Sequence, residues 1–279
     1  MKNSFVDRPA LQLAVRCFLL LAIIAYLKPL LQAQNIDVAL WEKELKRYVN
    51  NQGLVDYAGW KKRTANLDRI MSQFAEAHPP ASDADEKCLW INAYNAAAIR
   101  LILDHYPLES IQDINGTFTE KRFQVQHTRV SLDDVENRLR SKGDPRIHAA
   151  LVCAATGSPM LRREAYVPDR LDQQLDEQVR TWLAAERSNR YQPQLNRVEI
   201  SSIFKWYEAD FEKNGQTVRL FLKQYAPGNY TEFLSRPDYE IAYMPFNWSL
   251  NDQADSSRFL LLSKLWSTVK SWIPLGGKK

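Results

Sequence analysis

Apolar side chains recur at helical spacing along most of the chain. In residues 35–50 they fall three or four positions apart, at Val38, Trp41, Leu45 and Val49. That period predicts an amphipathic helix. A turn at 51–53, a short extended piece at 54–57 and a further helix to about residue 78 follow, before the loop that Pro79 and Pro80 open.

The strongest helical pattern lies in DADEKCLWINAYNAAAIRLILDHYP, which begins at Asp83. Acidic residues favour its start, and Pro107 ends it just after His105. Ser131 is the predicted N-cap of the next helix. Further helices are predicted over 171–187, in SSIFKWYEADF (201–211) and in GQTVRLFLKQYAP (215–227).

Alternating patterns are fewer and shorter. They predict a strand piece at 123–126, a hairpin in RYQPQLNRVEIS (190–201) and a strand in DYEIAYMPFNWSLN (238–251). With no repeat or low-complexity linker between them, these elements predict an α+β fold. We expect a helix-rich single domain over residues 34–254, with a small, mostly antiparallel sheet.

Residues 1–33 have a different pattern. Lys2, Arg8 and Arg16 precede the apolar run CFLLLAIIAYL (17–27), and small or neutral residues follow it. This order is typical of a secretory signal peptide and predicts export to a periplasmic or extracellular location. The alternative is an uncleaved N-terminal membrane anchor. Cys17 fits no lipoprotein pattern, because Arg16 precedes it.

Residues 255–279 form a second distinct segment. Its apolar residues fall on one predicted helical face: Phe259, Leu262, Leu265, Trp266, Val269 and Trp272. Such an amphipathic helix can lie on a membrane surface or dock on the protein's own core. Membrane association is therefore possible through residues 1–33 or 257–274.

Composition and charge narrow the function classes. The 279 residues are 45% hydrophobic and 25% charged, as in ordinary globular proteins. Without residues 1–33, 33 basic and 32 acidic side chains remain. A nearly neutral body gives no electrostatic reason to expect a nucleic acid as partner.

Three long motifs carry a family resemblance. They are EKCLWINAYNAAAIRLIL (86–103), VSLDDVENRLR (130–140) and DPRIHAALVCAATGSPMLRREAY (144–166). In this order they resemble the DUF547 family, a family of unknown function; SSIFKWYEADF and FNWSLN add to the resemblance. It covers roughly residues 50–250, with the core motifs in 83–187. Two positions depart from the family pattern: Ser158 stands where a Cys usually precedes the Pro, and Asn137 where a His is usual. Any mechanism that needs a second thiol is therefore disfavoured.

Cys153 and His148 are the first candidates for catalysis. An imidazole can activate a thiol as nucleophile. Five residues apart, however, they point to opposite faces of a strand and lie about 140° apart around a helix. They pair only if the chain changes direction between them. A thiol buried as a small hydrophobe, or a disulfide to Cys88, is the alternative.

Pro159, Asn92 and Asn95 each have a catalytic and a structural interpretation. If Pro159 began a helix, its free N–H groups would lower the pKa of a nearby thiol; a simple Gly-Ser-Pro turn is the alternative. Asn92 and Asn95 share a helical face and either orient a catalytic imidazole or bind loop backbone.

The roles of the charged and polar candidate residues also have alternatives. Arg146 is a candidate anchor for an anionic substrate, and Ser158 is a candidate substrate contact. Glu86 is either a substrate contact in the same cleft or a surface acid that complements the helix dipole. Asp133, Asp134 and Glu136 form an acidic cluster. Asp133 and Glu136 either meet a cation or Arg146, or the cluster is a solvated first helical turn. The sequence contains no metal-binding His pair, Cys-x-x-Cys motif or phosphate-binding loop, so we expect no metal and no cofactor.

Two functions follow from these residues. One is an exported thiol-dependent hydrolase or acyl transferase using Cys153, His148 and Asn92 or Asn95, with a peptide, glycan or small molecule as substrate. The other is a non-catalytic envelope module that binds a peptide or glycan; a purely structural envelope component is a third, weaker hypothesis.

Overall fold

The computed structural model describes residues 36–213 and 215–254. The predicted leader at 1–33 and the predicted C-terminal helix at 255–279 lie outside these residues. No helix in the described ranges is both long enough and apolar enough to cross a membrane.

The first half of the fold is a helical bundle around one long buried helix. Its helices are α1 (Val38–Tyr48), α2 (Tyr57–Lys61), α3 (Ala65–Ala75) and α4 (Asp83–His105). The hydroxyl of Ser82 accepts a hydrogen bond from the Asp85 amide and caps α4. Most of α4 is buried on every side, as expected of a helix at the centre of a core.

The predicted helix up to residue 78 is two helices in the structure. A turn at 62–64 separates α2 from α3. The turn lets Trp60 and Leu67 both face the core, where each is completely buried. The helix predicted over 83–105 is confirmed at both ends.

A small hairpin and two further helices complete this half. The hairpin pairs β1 (Phe123–Val125) with β2 (Thr128–Val130) in antiparallel register. It leads into α5 (Leu132–Arg140), where Ser131 and Asp134 form a reciprocal capping box. The N-cap predicted at Ser131 is therefore confirmed. The short helix α6 (Ile147–Ala150) follows.

The second half combines helices with a three-stranded sheet. Its elements are α7 (Leu171–Ala184), β3 (Arg190–Gln192), β4 (Arg197–Ser201), α8 (Ile203–Trp206), α9 (Glu208–Phe211), α10 (Val218–Tyr225), α11 (Thr231–Leu234) and β5 (Glu240–Met244). β4 pairs antiparallel with β3 and parallel with β5. The α+β prediction is confirmed, with helices outnumbering strands in the described part of the chain.

The prediction of a single helix in SSIFKWYEADF is wrong, because the segment forms two short helices, α8 and α9. Tyr207, at φ −116° and ψ 25°, interrupts it between α8 and α9. The interruption lets Phe204 and Phe211 enter the second core, while Tyr207 and Asp210 both reach His148.

Each half has its own hydrophobic cluster. The segment after Val152 stays with the first cluster and is held by the stretch 247–251. The Thr156 and Gly157 amides donate to the carbonyls of Ser249 and Asn247. A Cβ at position 157 would lie 2.7 Å from the Asn247 nitrogen, so this approach requires glycine.

Candidate functional site

A pocket of about 590 Å³ opens where the two clusters meet. Helices from both halves and the loops beside them supply its wall. The lining residues are Tyr94, Phe118, Thr119, Asp133, Glu136, His148, Leu151, Cys153, Ser158, Ile203, Trp206, Tyr207, Phe246 and Trp248. A concave, mostly apolar pocket with a few polar groups is the usual form of a small-molecule site.

The chain between His148 and Cys153 changes direction, as their pairing requires. The helix α6 ends at Ala150, and Leu151 is already extended, with φ −88° and ψ 119°. Both side chains consequently line the same pocket. The helix considered at Pro159 is absent, since residues 159–167 form no regular element.

Cys153 is half-buried, and its thiol is free. Its Sγ lies 3.0 Å from Oγ of Ser158. Burial raises the pKa of the Cys153 thiol, while the Ser158 hydroxyl and the Ala155 amide act in the opposite direction. The net shift is upward, so the resting residue is a neutral thiol and not the low-pKa thiolate that a helix at Pro159 would have produced.

The turn around Cys153 is strained. Ala154 adopts φ 59°, a left-handed conformation that is unfavourable for any residue with a Cβ. This conformation accompanies the contact between the following amide, that of Ala155, and the Cys153 sulfur. Strained backbone of this kind is concentrated at functional sites.

The possible disulfide is not formed. Cys88 is also free, and it is buried in α4. Burial raises its pKa to about 12. Cys88 therefore fits the description of a structural thiol, whereas Cys153 is the one that reaches a pocket.

His148 is held by a carboxylate from the second half of the fold. Its Nε2 lies 3.0 Å from Oδ2 of Asp210. Because Asp210 is ionised, we assign the proton of the neutral ring to Nε2, which leaves the lone pair on Nδ1. Tyr207 stacks on the imidazole with ring centroids 4.3 Å apart. The centroid of the Phe211 ring lies 5.4 Å from that of the imidazole.

Burial and the surrounding charges keep His148 neutral. Burial is the largest cause that lowers the pKa of His148, to about 4, although Asp210 acts to raise it. Asp210 also accepts hydrogen bonds from Arg140 and Lys213. These bonds overcome the effect of burial and lower the pKa of Asp210 to about 2.

Two carboxylates of α5 face the pocket. Burial raises the pKa of both Asp133 and Glu136, and a hydrogen bond from the Tyr207 hydroxyl partly offsets this at Glu136. Asp134, between them, is exposed and caps the helix. The predicted acidic cluster thus separates into one helix cap and two pocket residues.

Asn92 and Asn95 bind backbone. Asn95 donates to the Ala150 carbonyl and accepts from the Val152 amide, and so fixes the turn that leads to Cys153. Asn92 makes the same pair of bonds to the backbone of Tyr166. Neither amide lines the pocket or contacts His148, so the structure supports the structural interpretation of both.

Arg146 and Glu86 lie outside the pocket. Arg146 forms ion pairs with Asp144, Asp172 and Asp176. Glu86 pairs with Arg138 and Lys142. The predicted anchor for an anionic substrate and the predicted contact at Glu86 are therefore unsupported, because both side chains are occupied elsewhere. Ser158, by contrast, lines the pocket beside Cys153.

Several residues of the site escaped the sequence analysis. They are Asp210, which binds His148, and the pocket-lining aromatic residues Tyr207, Trp206, Phe246 and Trp248. A signal was present, because SSIFKWYEADF and FNWSLN combine aromatic residues with isolated polar ones. These residues lie near Cys153 because distant segments of the chain pack together. Helical or strand periodicity in the sequence gives no information about such packing.

The described residues contain no set of side chains suited to binding a metal ion. Within residues 36–213 and 215–254, no group of three or more His, Cys, Asp and Glu side chains could hold a metal ion. The polar groups of the pocket instead suit acid–base and nucleophilic chemistry.

Comparison with protein families agrees with the motifs. Residues 80–183 match the model described as "Protein of unknown function, DUF547". The match covers the central part of the chain and supports its similarity to DUF547 proteins. The match includes the α4 helix, α5, His148, Cys153 and Ser158, while Asp210 and the aromatic residues from 203 onward lie beyond it. No curated protein and no solved structure matches the chain significantly.

Proposed function

We propose that this protein is a thiol-dependent acyl hydrolase or acyl transferase, with Cys153 as nucleophile and His148 as general base. The observation that carries the proposal is the convergence of a free thiol and an aspartate-bound imidazole on one pocket. Nucleophile, base and orienting carboxylate form the general arrangement of a covalent acyl-transfer site.

The proposed reaction has two stages. In the first, Sγ of Cys153 attacks the substrate carbonyl carbon while Nδ1 of His148 takes the thiol proton. The carbon–leaving-group bond then breaks, and the leaving group takes that proton from the imidazolium. In the second stage His148 removes a proton from water, or from an acceptor alcohol or amine, which attacks the thioester and regenerates the thiol.

The protonation states decide how the nucleophile is activated. Cys153 has a raised pKa and His148 a lowered one, so no thiolate–imidazolium pair exists in the resting protein. Proton removal must then accompany attack, as it does for a serine nucleophile. Asp210 stabilises the imidazolium that forms during this step.

The segment after Cys153 provides a candidate oxyanion site. The Ala155 amide lies beside the sulfur, and the Ser158 hydroxyl is 3.0 Å from it. Donors placed close to a nucleophile can stabilise the negative oxygen of a tetrahedral intermediate.

An acylation experiment tests the proposal. The protein is incubated with short-chain para-nitrophenyl esters and thioesters, and the acyl adduct is located by peptide mass. We expect an adduct on Cys153 together with turnover. Cys153→Ala should abolish both, whereas Cys88→Ala, the matched buried thiol, should retain both. Turnover that persists in Cys153→Ala, or no turnover across the panel, would contradict the proposal.

A binding module is the second candidate. Its support is the aromatic group of Trp206, Phe246 and Trp248, of which Trp206 is 49% exposed. Exposed aromatic rings next to polar groups can stack on sugar rings or peptide side chains. In that case Cys153→Ala would leave ligand affinity and biological function unchanged.

Export is part of the same proposal and rests on the signal-peptide pattern of residues 1–33. N-terminal sequencing of the mature protein after cell fractionation tests it. A new N-terminus close to residue 34 in the exported fraction is expected. An intact Met1 in the membrane fraction would favour the anchor instead.

A further inference from the structure

The charge of the pocket lining has one sign. Among the residues that the structure describes, its fixed charges are the carboxylates of Asp133 and Glu136, and no Lys or Arg lines the wall. His148 adds none near neutral pH, because burial lowers its pKa to about 4. These fixed charges would repel an anionic ligand.

The two carboxylates lack a compensating cation. Among the described residues, neither Asp133 nor Glu136 forms an ion pair. The charge of Arg140 acts to lower the pKa of Glu136, but its guanidinium is bound to Asp210. Half-buried carboxylates without a positive countercharge are costly, and a ligand that supplies a positive charge would reduce that cost.

The remainder of the wall is aromatic. Tyr94, Phe118, Trp206, Tyr207, Phe246 and Trp248 contribute the rings. The ring centroids of Phe246 and Trp248 are 4.5 Å apart, and those of Trp206 and Phe246 are 5.1 Å apart. Aromatic faces attract cations through their quadrupoles, and several rings beside carboxylates are a known means of binding alkylammonium groups.

We propose that the pocket binds an ammonium group, so that the substrate of this protein is an acyl compound with a positive charge near the reacting carbonyl. The substrate class rests on the acyl-transfer function proposed above. The ammonium site itself does not, since the carboxylates and rings would bind a cation whether or not Cys153 reacts.

The position of Glu136 links this recognition to the nucleophile. The negative charge of Glu136 is among the causes that raise the pKa of Cys153. An ammonium group bound at Glu136 neutralises that charge and makes proton loss from the thiol easier. The correct substrate would therefore help to activate the residue that attacks it.

A pair of ligands with the same shape tests the ammonium site. Choline and its uncharged carbon isostere, neohexyl alcohol, are titrated into Cys153→Ser protein by calorimetry. We expect choline to bind at least about tenfold more tightly, equivalent to about 1.4 kcal/mol. Equal affinity, tighter binding of the alcohol, or no measurable choline binding would overturn the inference.

Matched variants locate the effect. Asp133→Asn with Glu136→Gln removes both pocket charges, and the preference for choline should fall close to one. Glu208→Gln removes a carboxylate from an exposed residue next to Tyr207 that does not line the pocket, and the preference should remain. Loss of the preference in both proteins would indicate a general charge effect and contradict the site. Circular dichroism verifies that each variant is folded.

Turnover of two esters separates this inference from the proposed function. Para-nitrophenyl ε-aminohexanoate and para-nitrophenyl heptanoate differ only in a terminal ammonium or methyl group. A higher kcat/KM for the ammonium ester, lost in the double variant, supports both proposals. Turnover without preference overturns the substrate class alone. Choline preference without turnover of either ester retains the ammonium site and removes the acyl-transfer function.

Discussion

The imidazole of His148 and the carboxylate of Asp210 lie 3.0 Å apart, although 62 positions separate them in the chain. His148 belongs to α6, between the two clusters, whereas Asp210 belongs to α9 in the second half. Arg140 from α5 binds the same carboxylate. The orientation of the candidate base consequently depends on the correct packing of both halves of the fold.

The depressed pKa of His148 predicts a pH-dependent stability. The folded value is about 4 against an ordinary 6.5, so the unfolded chain takes up the proton first as pH falls. The free energy of unfolding should be highest above pH 6.5 and decrease down to about pH 4. The slope should approach 1.4 kcal/mol per pH unit, for a total loss of roughly 3 kcal/mol. Urea unfolding at a series of pH values measures it.

The control for this prediction is His148→Gln, which removes the titrating group. Its unfolding free energy should be lower at neutral pH, because the buried contacts with Asp210 and Tyr207 are altered. It should also vary less with pH between 4 and 6.5 than that of the unmodified protein. An unchanged slope in the variant would show that other groups produce the pH dependence.

The two cysteines should differ in their reaction with iodoacetamide. Burial raises both pKa values, to about 12 at Cys88, but only Cys153 lines the pocket. In native protein we expect Cys153 to react slowly at neutral pH and faster as the pH rises above 9, and Cys88 not to react. Peptide mass after labelling distinguishes them. Rapid labelling of Cys153 well below pH 8 would contradict the neutral-thiol state.

Glu136 should control the ionisation of Cys153. Its charge raises the pKa of the thiol, so Glu136→Gln should shift the alkylation profile of Cys153 to lower pH. Glu208→Gln, an exposed change outside the pocket lining, should leave the profile unchanged. A shift to higher pH would be inconsistent with the geometry.

Local patterns predicted the parts of the fold that local interactions determine. The long helix from Asp83 to His105 follows from its acidic start and from Pro107, and the cap at Ser131 follows from the capping box. The required change of direction between His148 and Cys153 was deduced from helix and strand geometry. The turn at Tyr207 and the partners of Arg146 depend on contacts between distant segments, so spacing could not reveal them.

Asn92 and Asn95 provide a matched pair that separates structural from catalytic roles. Each is buried in α4, and each binds a backbone amide and a backbone carbonyl of a distant segment. Replacing either by Ala leaves two backbone groups unpaired, so each variant should lose about 2–4 kcal/mol of unfolding free energy. Chemical denaturation measures this loss, and activity is then normalised to the folded fraction.

The two variants should differ at Cys153. Asn95→Ala releases the Ala150 carbonyl and the Val152 amide, which lie directly before Cys153, so the alkylation rate and the turnover per folded molecule should both change. Asn92→Ala releases the backbone of Tyr166, which does not line the pocket, and both quantities should stay as in the unmodified protein. A loss of turnover in Asn92→Ala without a loss of stability would favour the catalytic role, because a purely structural amide cannot affect the chemistry without affecting the fold.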